Sequence, residues 1–109
     1  MLSIKSFEEL NIVINRSEAT LVLFGGEHCG VCQSIKPKLE DRLTDQFSKL
    51  TQVYIDCQMD PKIGAQSSVF SLPVVRVYFE GQLFIEEIKA FSLSKLFKEI
   101  ERPYNTLFT

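Results

Sequence analysis

Short apolar runs alternate with helical patterns along most of this 109-residue chain. Residues 20–24 (Thr-Leu-Val-Leu-Phe) are apolar almost without interruption, which is typical of a strand buried on both faces. A helical pattern precedes this run, a longer one follows it, and residues 52–56 repeat the strand signal. Strands that alternate with helices pair in parallel through crossover connections, so the chain is expected to fold as an α/β protein.

Caps and prolines set the expected bounds of the first three helices. Ser6 and Glu9 form a capping box that opens a helix ending at about Arg16. The second helix is expected over residues 30–50, with a kink at Pro37 because proline lacks the amide hydrogen. Asp60, which is followed by a proline, should cap a short third helix that extends toward residue 68.

The last third of the chain predicts a hairpin and a final helix. Residues 74–79 are β-branched and aromatic, Glu80-Gly81-Gln82 is a turn signal, and residues 83–88 pair back. Residues 93–100 then form an amphipathic helix that we expect Pro103 to end, which leaves residues 104–109 loosely held. Together these elements predict a single domain over residues 1–109, with a mixed central sheet of about four strands and helices on both faces.

The composition provides one core and argues against several classes of function. Hydrophobic residues make up 45% of the chain, enough for a core without disulfides, and the phenylalanines expected there are Phe24, Phe70, Phe79, Phe84 and Phe97. The net charge of −2 and the scattered Lys and Arg argue against nucleic-acid binding, and no apolar run is long enough for a membrane span. The first residues lack the pattern of a secretory signal, so the expected location is the cytoplasm, where thiols stay reduced.

Two cysteines three residues apart carry the strongest chemical signal. Cys29 and Cys32 follow the buried strand and open the second helix. Amides in the first turn of a helix have no intrahelical partner, and together with the helix dipole they favour a thiolate at Cys29. Residues three apart in a helix have Cα atoms about 5 Å apart, a separation that a disulfide tolerates. The pair is therefore expected to exchange disulfides, with an outer Cys29 and an inward-facing Cys32.

Two alternatives compete with a redox pair. A Cys-x-x-Cys pair also forms half of many zinc sites, but a tetrahedral site needs four ligands and the chain adds only His28 and Cys57. Two inert core cysteines are the other alternative, although a helix start flanked by glycine is normally exposed. We therefore expect no metal and no other cofactor, and we expect Cys57 to be a partly buried bystander.

With these residues in place, the chain resembles the thioredoxin family over nearly its whole length. Residues 29–32 (Cys-Gly-Val-Cys) are similar to the family's Cys-Gly-Pro-Cys, with Val in place of Pro. Pro37 falls where the family carries a helix-kinking proline, and residues 71–74 (Ser-Leu-Pro-Val) look like the family's Gly-Ile-Pro-Thr, whose proline follows a cis peptide bond. The two motifs together are far more specific than either motif alone.

The resemblance implies a thiol–disulfide oxidoreductase that acts on protein disulfides and exchanges electrons with an upstream dithiol reductant. Cys29 would be the nucleophile, and Cys32 would resolve the mixed disulfide. Pro73 would pack beside the sulfurs and leave the backbone of Leu72 free to pair with an extended substrate. The residues expected to contact that substrate are Gly30, Val31, Leu72 and Pro73. No nucleic-acid or membrane partner is implied.

The sequence departs from the family pattern around the pair. The family's buried Asp falls on Leu23 and its partner Lys on Gln52, so both members of a buried charge pair are absent together. Resolution by Cys32 should then be slower, unless water or Glu27 assists. The family's Trp before the first cysteine is His28, which is either an idle loop residue or a cation that stabilises the Cys29 thiolate. The alternative function is a binding or scaffold module of the same fold, with weak or regulatory redox activity.

Overall fold

The computed structural model describes residues 1–109 and centres on a five-stranded mixed sheet. Its strands are β1 (Leu2–Ser3), β2 (Ala19–Gly25), β3 (Thr51–Asp56), β4 (Val74–Phe79) and β5 (Gln82–Ile88). They lie in the order β1-β3-β2-β4-β5. Strands β1, β3 and β2 are parallel, whereas β4 is antiparallel to β2 and β5 is antiparallel to β4. The α/β class and the mixed sheet are confirmed.

One strand, β1, was not expected. Leu2 pairs with Val53 and Ser3 with Tyr54, and the next amide, that of Ile4, donates to the Tyr54 carbonyl at 3.3 Å. The strand is too short to show any periodicity, so a pattern search does not find it. Ile4 is nevertheless buried, which fastens the start of the chain to the sheet.

The four helices follow the expected order, with two differences at their ends. They are α1 (Phe7–Arg16), α2 (Gly30–Gln46), α3 (Pro61–Gln66) and α4 (Leu93–Leu107). The predicted extension of α2 to residue 50 was wrong, because the helix ends at Gln46. The prediction that Pro103 ends α4 was also wrong, because α4 continues past it to Leu107. No helix of the chain combines the length and the apolar content that a membrane span requires.

The end of α4 is anchored rather than loose. The Tyr104 ring is buried against Phe47 with centroids 5.0 Å apart, and its hydroxyl accepts a hydrogen bond from the Lys49 amide at 3.0 Å. These contacts stabilise the last turns of α4 although Pro103 cannot donate an amide hydrogen bond within the helix.

Two hydrophobic cores lie on opposite faces of the sheet. Leu21 and Leu23 of β2 face α2 and α4, whereas Val22 and Phe24 face α1 and α3. This alternation explains why β2 is buried along its whole length.

Only part of the predicted set of core phenylalanines is buried. Phe24, Phe79 and Phe97 are in the core, as predicted. The predictions for Phe70 and Phe84 were wrong, because Phe70 is 84% exposed and Phe84 is 59% exposed. Phe70 lies in the loop before β4, where no helix covers it, and Phe84 lies on the edge strand β5.

The topology brings three loops to one edge of the sheet. The parallel strands β2 and β3 both end there, at Gly25 and Asp56, which pair with each other. The antiparallel strand β4 begins at the same edge, where Val74 pairs with Phe24. The segments after β2, after β3 and before β4 therefore meet, and the two cysteines lie among them.

Candidate active site

Cys29 is the N-cap residue of α2. Its backbone is extended, with φ −97° and ψ 102°, and its Sγ accepts a hydrogen bond from the Cys32 amide at 3.2 Å. The two cysteines form a disulfide, and their Cα atoms are 5.2 Å apart. A free amide of the first helical turn thus points at the sulfur of Cys29, in the geometry that stabilises a thiolate.

The two sulfurs differ in their access to solvent. Cys29 is partly exposed, whereas Cys32 has no exposed surface. Between them, Gly30 is exposed and a Cβ placed on it would meet nothing within 4 Å, while Val31 is 55% exposed. The outer face of the pair is therefore open, and only Cys29 offers its sulfur there.

A glutamine that the sequence did not single out holds the loop before Cys29. The Gln58 Oε1 atom accepts a hydrogen bond from the His28 amide at 2.7 Å, and its side chain fills the space where a Cβ on Gly26 would stand. The Gly26 carbonyl in turn accepts from the Cys29 amide at 3.1 Å. The only signal in the sequence is that Gln58 follows a strand expected beside β2.

Glu27 and His28, the two predicted modulating residues, are both exposed in this loop. The negative charge of Glu27 makes a small contribution to the raised pKa of Tyr54. The His28 backbone amide donates a hydrogen bond to Gln58. The influence of Glu27 and His28 on the pair stays a prediction.

Pro73 lies at the same edge and follows a cis peptide bond from Leu72. Pro73 is buried and its carbonyl accepts a hydrogen bond from the Lys89 amide at 2.7 Å, whereas Leu72 is half-buried. The backbone amide and carbonyl of Leu72 form no hydrogen bond within the chain. A cavity of about 300 Å³, lined in part by Leu72, Phe70 and Cys57, adjoins this backbone.

In the register of β3, Gln52 pairs with Leu21, and the residue that pairs with Leu23 is Tyr54. Leu23 has no exposed surface and packs among apolar side chains, so no charge is present at this position. The polar neighbour of the site is therefore a phenol, which the sequence did not indicate.

Cys57 is partly buried, as predicted. Burial, and next the negative charge of Asp56, raise the pKa of its thiol to about 11. The thiol is therefore protonated at neutral pH and is a poor nucleophile. No group of three or more His, Cys, Asp or Glu side chains is arranged to hold a metal ion.

A redox pair at the start of a helix, beside a cis-proline and on a mixed sheet with helices on both faces, defines a protein of the thioredoxin-fold class. Comparison with known proteins gives the family: the family model for thioredoxin matches residues 2–102. The chain belongs to the thioredoxin family, and with its Cys29–Cys32 pair it is a thiol–disulfide oxidoreductase.

Relatives and solved structures agree with this assignment. The thioredoxin of Rhodospirillum rubrum is 30% identical over 96 residues, which cover 88% of this chain and 90% of that protein. The thioredoxin-like protein YdfQ of Bacillus subtilis is 23% identical over 95% of this chain and 92% of its own length. The thioredoxin of Plasmodium falciparum superposes with a TM-score of 0.81 at 24% identity, covering 94% of this chain and 98% of that one, and so shares the fold.

Proposed function

We propose that Cys29 is the nucleophile and Cys32 the resolving thiol in dithiol–disulfide exchange with protein disulfides. The observation that carries this assignment is the position of Cys29 as an extended N-cap whose sulfur accepts the Cys32 amide at 3.2 Å. That amide and the helix dipole stabilise the anion that attacks. The burial of Cys32 supports the order of the two steps, because a substrate sulfur reaches Cys29 first.

Each step conserves atoms and electrons. The Cys29 thiolate attacks one sulfur of the substrate disulfide, forms a mixed disulfide and releases the other substrate sulfur as a thiolate, which takes a proton from water. Cys32 then loses its proton and attacks the Cys29 sulfur, which closes the Cys29–Cys32 bond and frees the second substrate thiol. Two electrons pass to the substrate, and a dithiol reductant must restore the pair.

The substrate peptide is proposed to lie along Leu72. The free amide and carbonyl of Leu72 allow it to pair with an extended chain, as one strand adds to another. Gly30, Val31 and Pro73 would line the same path, which is open at Gly30. The exposed ring of Phe70 and the cavity beside Leu72 offer apolar contact to side chains that flank the substrate cysteine.

The compartment and the modulators belong to the same proposal. A reducing compartment such as the cytoplasm would keep the pair as a dithiol ready for attack. His28, when protonated, would stabilise the Cys29 thiolate and shift the pair toward oxidation of its partners, and Glu27 would oppose it.

A trapping experiment tests the assignment of roles. Cys32→Ser should leave a stable mixed disulfide between Cys29 and a model disulfide-containing peptide, which mass spectrometry identifies. Cys29→Ser should form none, and Cys57→Ser should react like the unaltered chain. A partner that binds with equal affinity whether or not either cysteine is present would instead favour the scaffold alternative.

A further inference from the structure

Tyr54 is a half-buried phenol that borders Gly25, as does Cys32. It stands on β3 opposite Leu23, and its ring packs under α2, where the Lys36 ammonium lies 5.1 Å from the ring centroid. Tyr54 is half-buried, whereas Glu27 and His28 are exposed in the loop before Cys29.

Gly25 shows how closely the phenol approaches Cys32. A Cβ placed on Gly25 would be 3.1 Å from the Cys32 Cβ and 3.3 Å from the Tyr54 hydroxyl. Gly25 is itself buried, and a side chain at this position would press against both groups. The hydroxyl and Cys32 thus border the same point beside Gly25, a spacing that one water molecule can bridge.

We propose that the Tyr54 hydroxyl donates a hydrogen bond to the Cys32 thiolate and so promotes resolution of the mixed disulfide. The need for a donor follows from burial, since Cys32 has no exposed surface and Leu23, the residue opposite Tyr54 on β2, is apolar. An anion without a hydrogen-bond donor is strongly disfavoured in such a place.

The charges around Tyr54 make it a donor rather than a base. Burial, and next the negative charge of Asp56, raise the pKa of the phenol. A side-chain hydrogen bond with Gln33 acts in the opposite direction, and Cys57 and Glu27 add smaller effects that raise the pKa. On the helix side, Lys36 is engaged by Glu40 at 3.3 Å. The phenol therefore stays protonated at neutral pH and can donate a hydrogen bond.

The step balances without any further reactant. Cys32 gives its proton to water, the Tyr54 O–H hydrogen-bonds to the resulting thiolate, and that thiolate attacks the Cys29 sulfur and displaces the substrate thiolate. The phenol is unchanged at the end. The role rests on the proposed functions of Cys29 and Cys32.

The test follows the mixed disulfide between the reduced protein and glutathione disulfide. Samples are quenched with acid at different times and pH values, and mass spectrometry gives the rates of mixed-disulfide formation and of resolution. In Tyr54→Phe, which keeps the ring and its contact with Lys36, the resolution rate should fall about tenfold at neutral pH and its pH profile should move up by about one unit. Formation at Cys29 should keep its rate, because the Cys29 sulfur is stabilised by the Cys32 amide and not by the phenol.

Tyr78→Phe is the matched control, since Tyr78 is a partly buried phenol on β4 that pairs with Thr20, far along β2 from the cysteines. It should leave both rates unchanged. An unaltered pH profile of resolution in Tyr54→Phe would overturn the role of Tyr54 alone. If the unaltered protein forms no mixed disulfide at Cys29 at any pH, the proposed roles of the cysteines fail and this inference fails with them.

Discussion

Leu23→Asp tests whether the buried side of the site, at Leu23, is apolar and lacks a free cation. Leu23 has no exposed surface, packs in the core with Leu39 and Val75, and stands beside Tyr54 in the sheet. Lys36, the α2 cation that lies over the Tyr54 ring, is already paired with Glu40. A carboxylate at this position would be buried without a counter-charge, so its pKa should rise well above its usual range.

The magnitude has two parts. Removing the leucine side chain from a closed core costs about 3 kcal/mol of unfolding free energy, a loss that Leu23→Asn shares. The charge adds about 1.4 kcal/mol for each unit by which the carboxyl pKa rises, so a rise of about two units adds close to 3 kcal/mol. The Asp variant should therefore be the less stable of the two at high pH.

The direction of the pH dependence follows from proton binding. Between the unfolded and the folded pKa, the folded Asp variant binds more protons than the unfolded chain, so its stability falls as the pH rises. The extra loss should be absent below about pH 3, where the carboxyl is protonated in both states, and fully present above the raised pKa.

Urea denaturation of both variants at several pH values measures this difference. Leu23→Asn should lose the same free energy at each pH relative to the unaltered chain, and only Leu23→Asp should diverge from it upward in pH. Leu83→Asp, at a position on β5 that is 51% exposed, is the surface control and should show almost no loss. If Leu23→Asp and Leu23→Asn were equally stable at about pH 8, the surroundings of position 23 could not be apolar and free of an available cation, and the reasoning would be refuted.

Three further predictions follow from single contacts. Because the Cys57 thiol has a pKa of about 11, iodoacetamide should label reduced Cys29 well before Cys57 at neutral pH, and mass mapping that shows equal rates would contradict this. Tyr104→Phe, which loses only the hydrogen bond from the Lys49 amide, should lower the unfolding free energy by about 1 kcal/mol, whereas Tyr104→Ala should lose about 3 kcal/mol or more in urea denaturation. Gly26→Ala must displace Gln58 and should cost about 1 kcal/mol, while Gly30→Ala, which meets open space, should be neutral or slightly stabilising in the same assay.

The sequence predicted those parts of the fold that depend on local signals. Ser6 caps α1 as expected, with its hydroxyl accepting the Glu9 amide at 3.1 Å, and Cys29 takes the corresponding place at α2. A cap involves residues three apart, so it can be read along the chain. The element order was predicted for the same reason, because periodicity is a local property.

Several of the differences arise from contacts between distant residues. Tyr54 lies opposite Leu23 through the register of two strands, which residue spacing along the chain does not determine. Pro103 stays inside α4 because Tyr104 is held by the distant Lys49. Phe70 and Phe84 are exposed because no element covers them, and composition does not distinguish a covered aromatic ring from an uncovered one.

The same distinction applies to the candidate site. The pair of cysteines and the cis-proline were identified from motifs, whereas Gln58 and the opening at Gly25 became apparent only once β2 and β3 were seen to end side by side. Residues that support a site from a neighbouring strand carry no signal of their own in a single sequence. A motif thus locates the reacting atoms but not the groups that set their protonation.

Val31→Pro should make the disulfide of the pair harder to reduce. Val31 is the second residue of α2, where a proline fits because the amides of the first turn have no intrahelical acceptor and the ring favours a helical φ. Val31 is also 55% exposed, so the ring should meet no core contact. Fixing this φ removes freedom from the reduced first turn and stabilises the form in which the turn is closed by the disulfide.

A gain of about 0.4–1 kcal/mol, the usual effect of proline at a compatible position, corresponds to a reduction potential about 10–20 mV more negative. Equilibration with mixtures of reduced and oxidised glutathione measures the potential. Val31→Ala, which trims the side chain without fixing φ, is the control and should not move the potential in that direction. If Val31→Pro and Val31→Ala had equal potentials, the prediction would be wrong. The first turn of α2 would then already be rigid in the dithiol form, and proline would remove no conformational freedom from it.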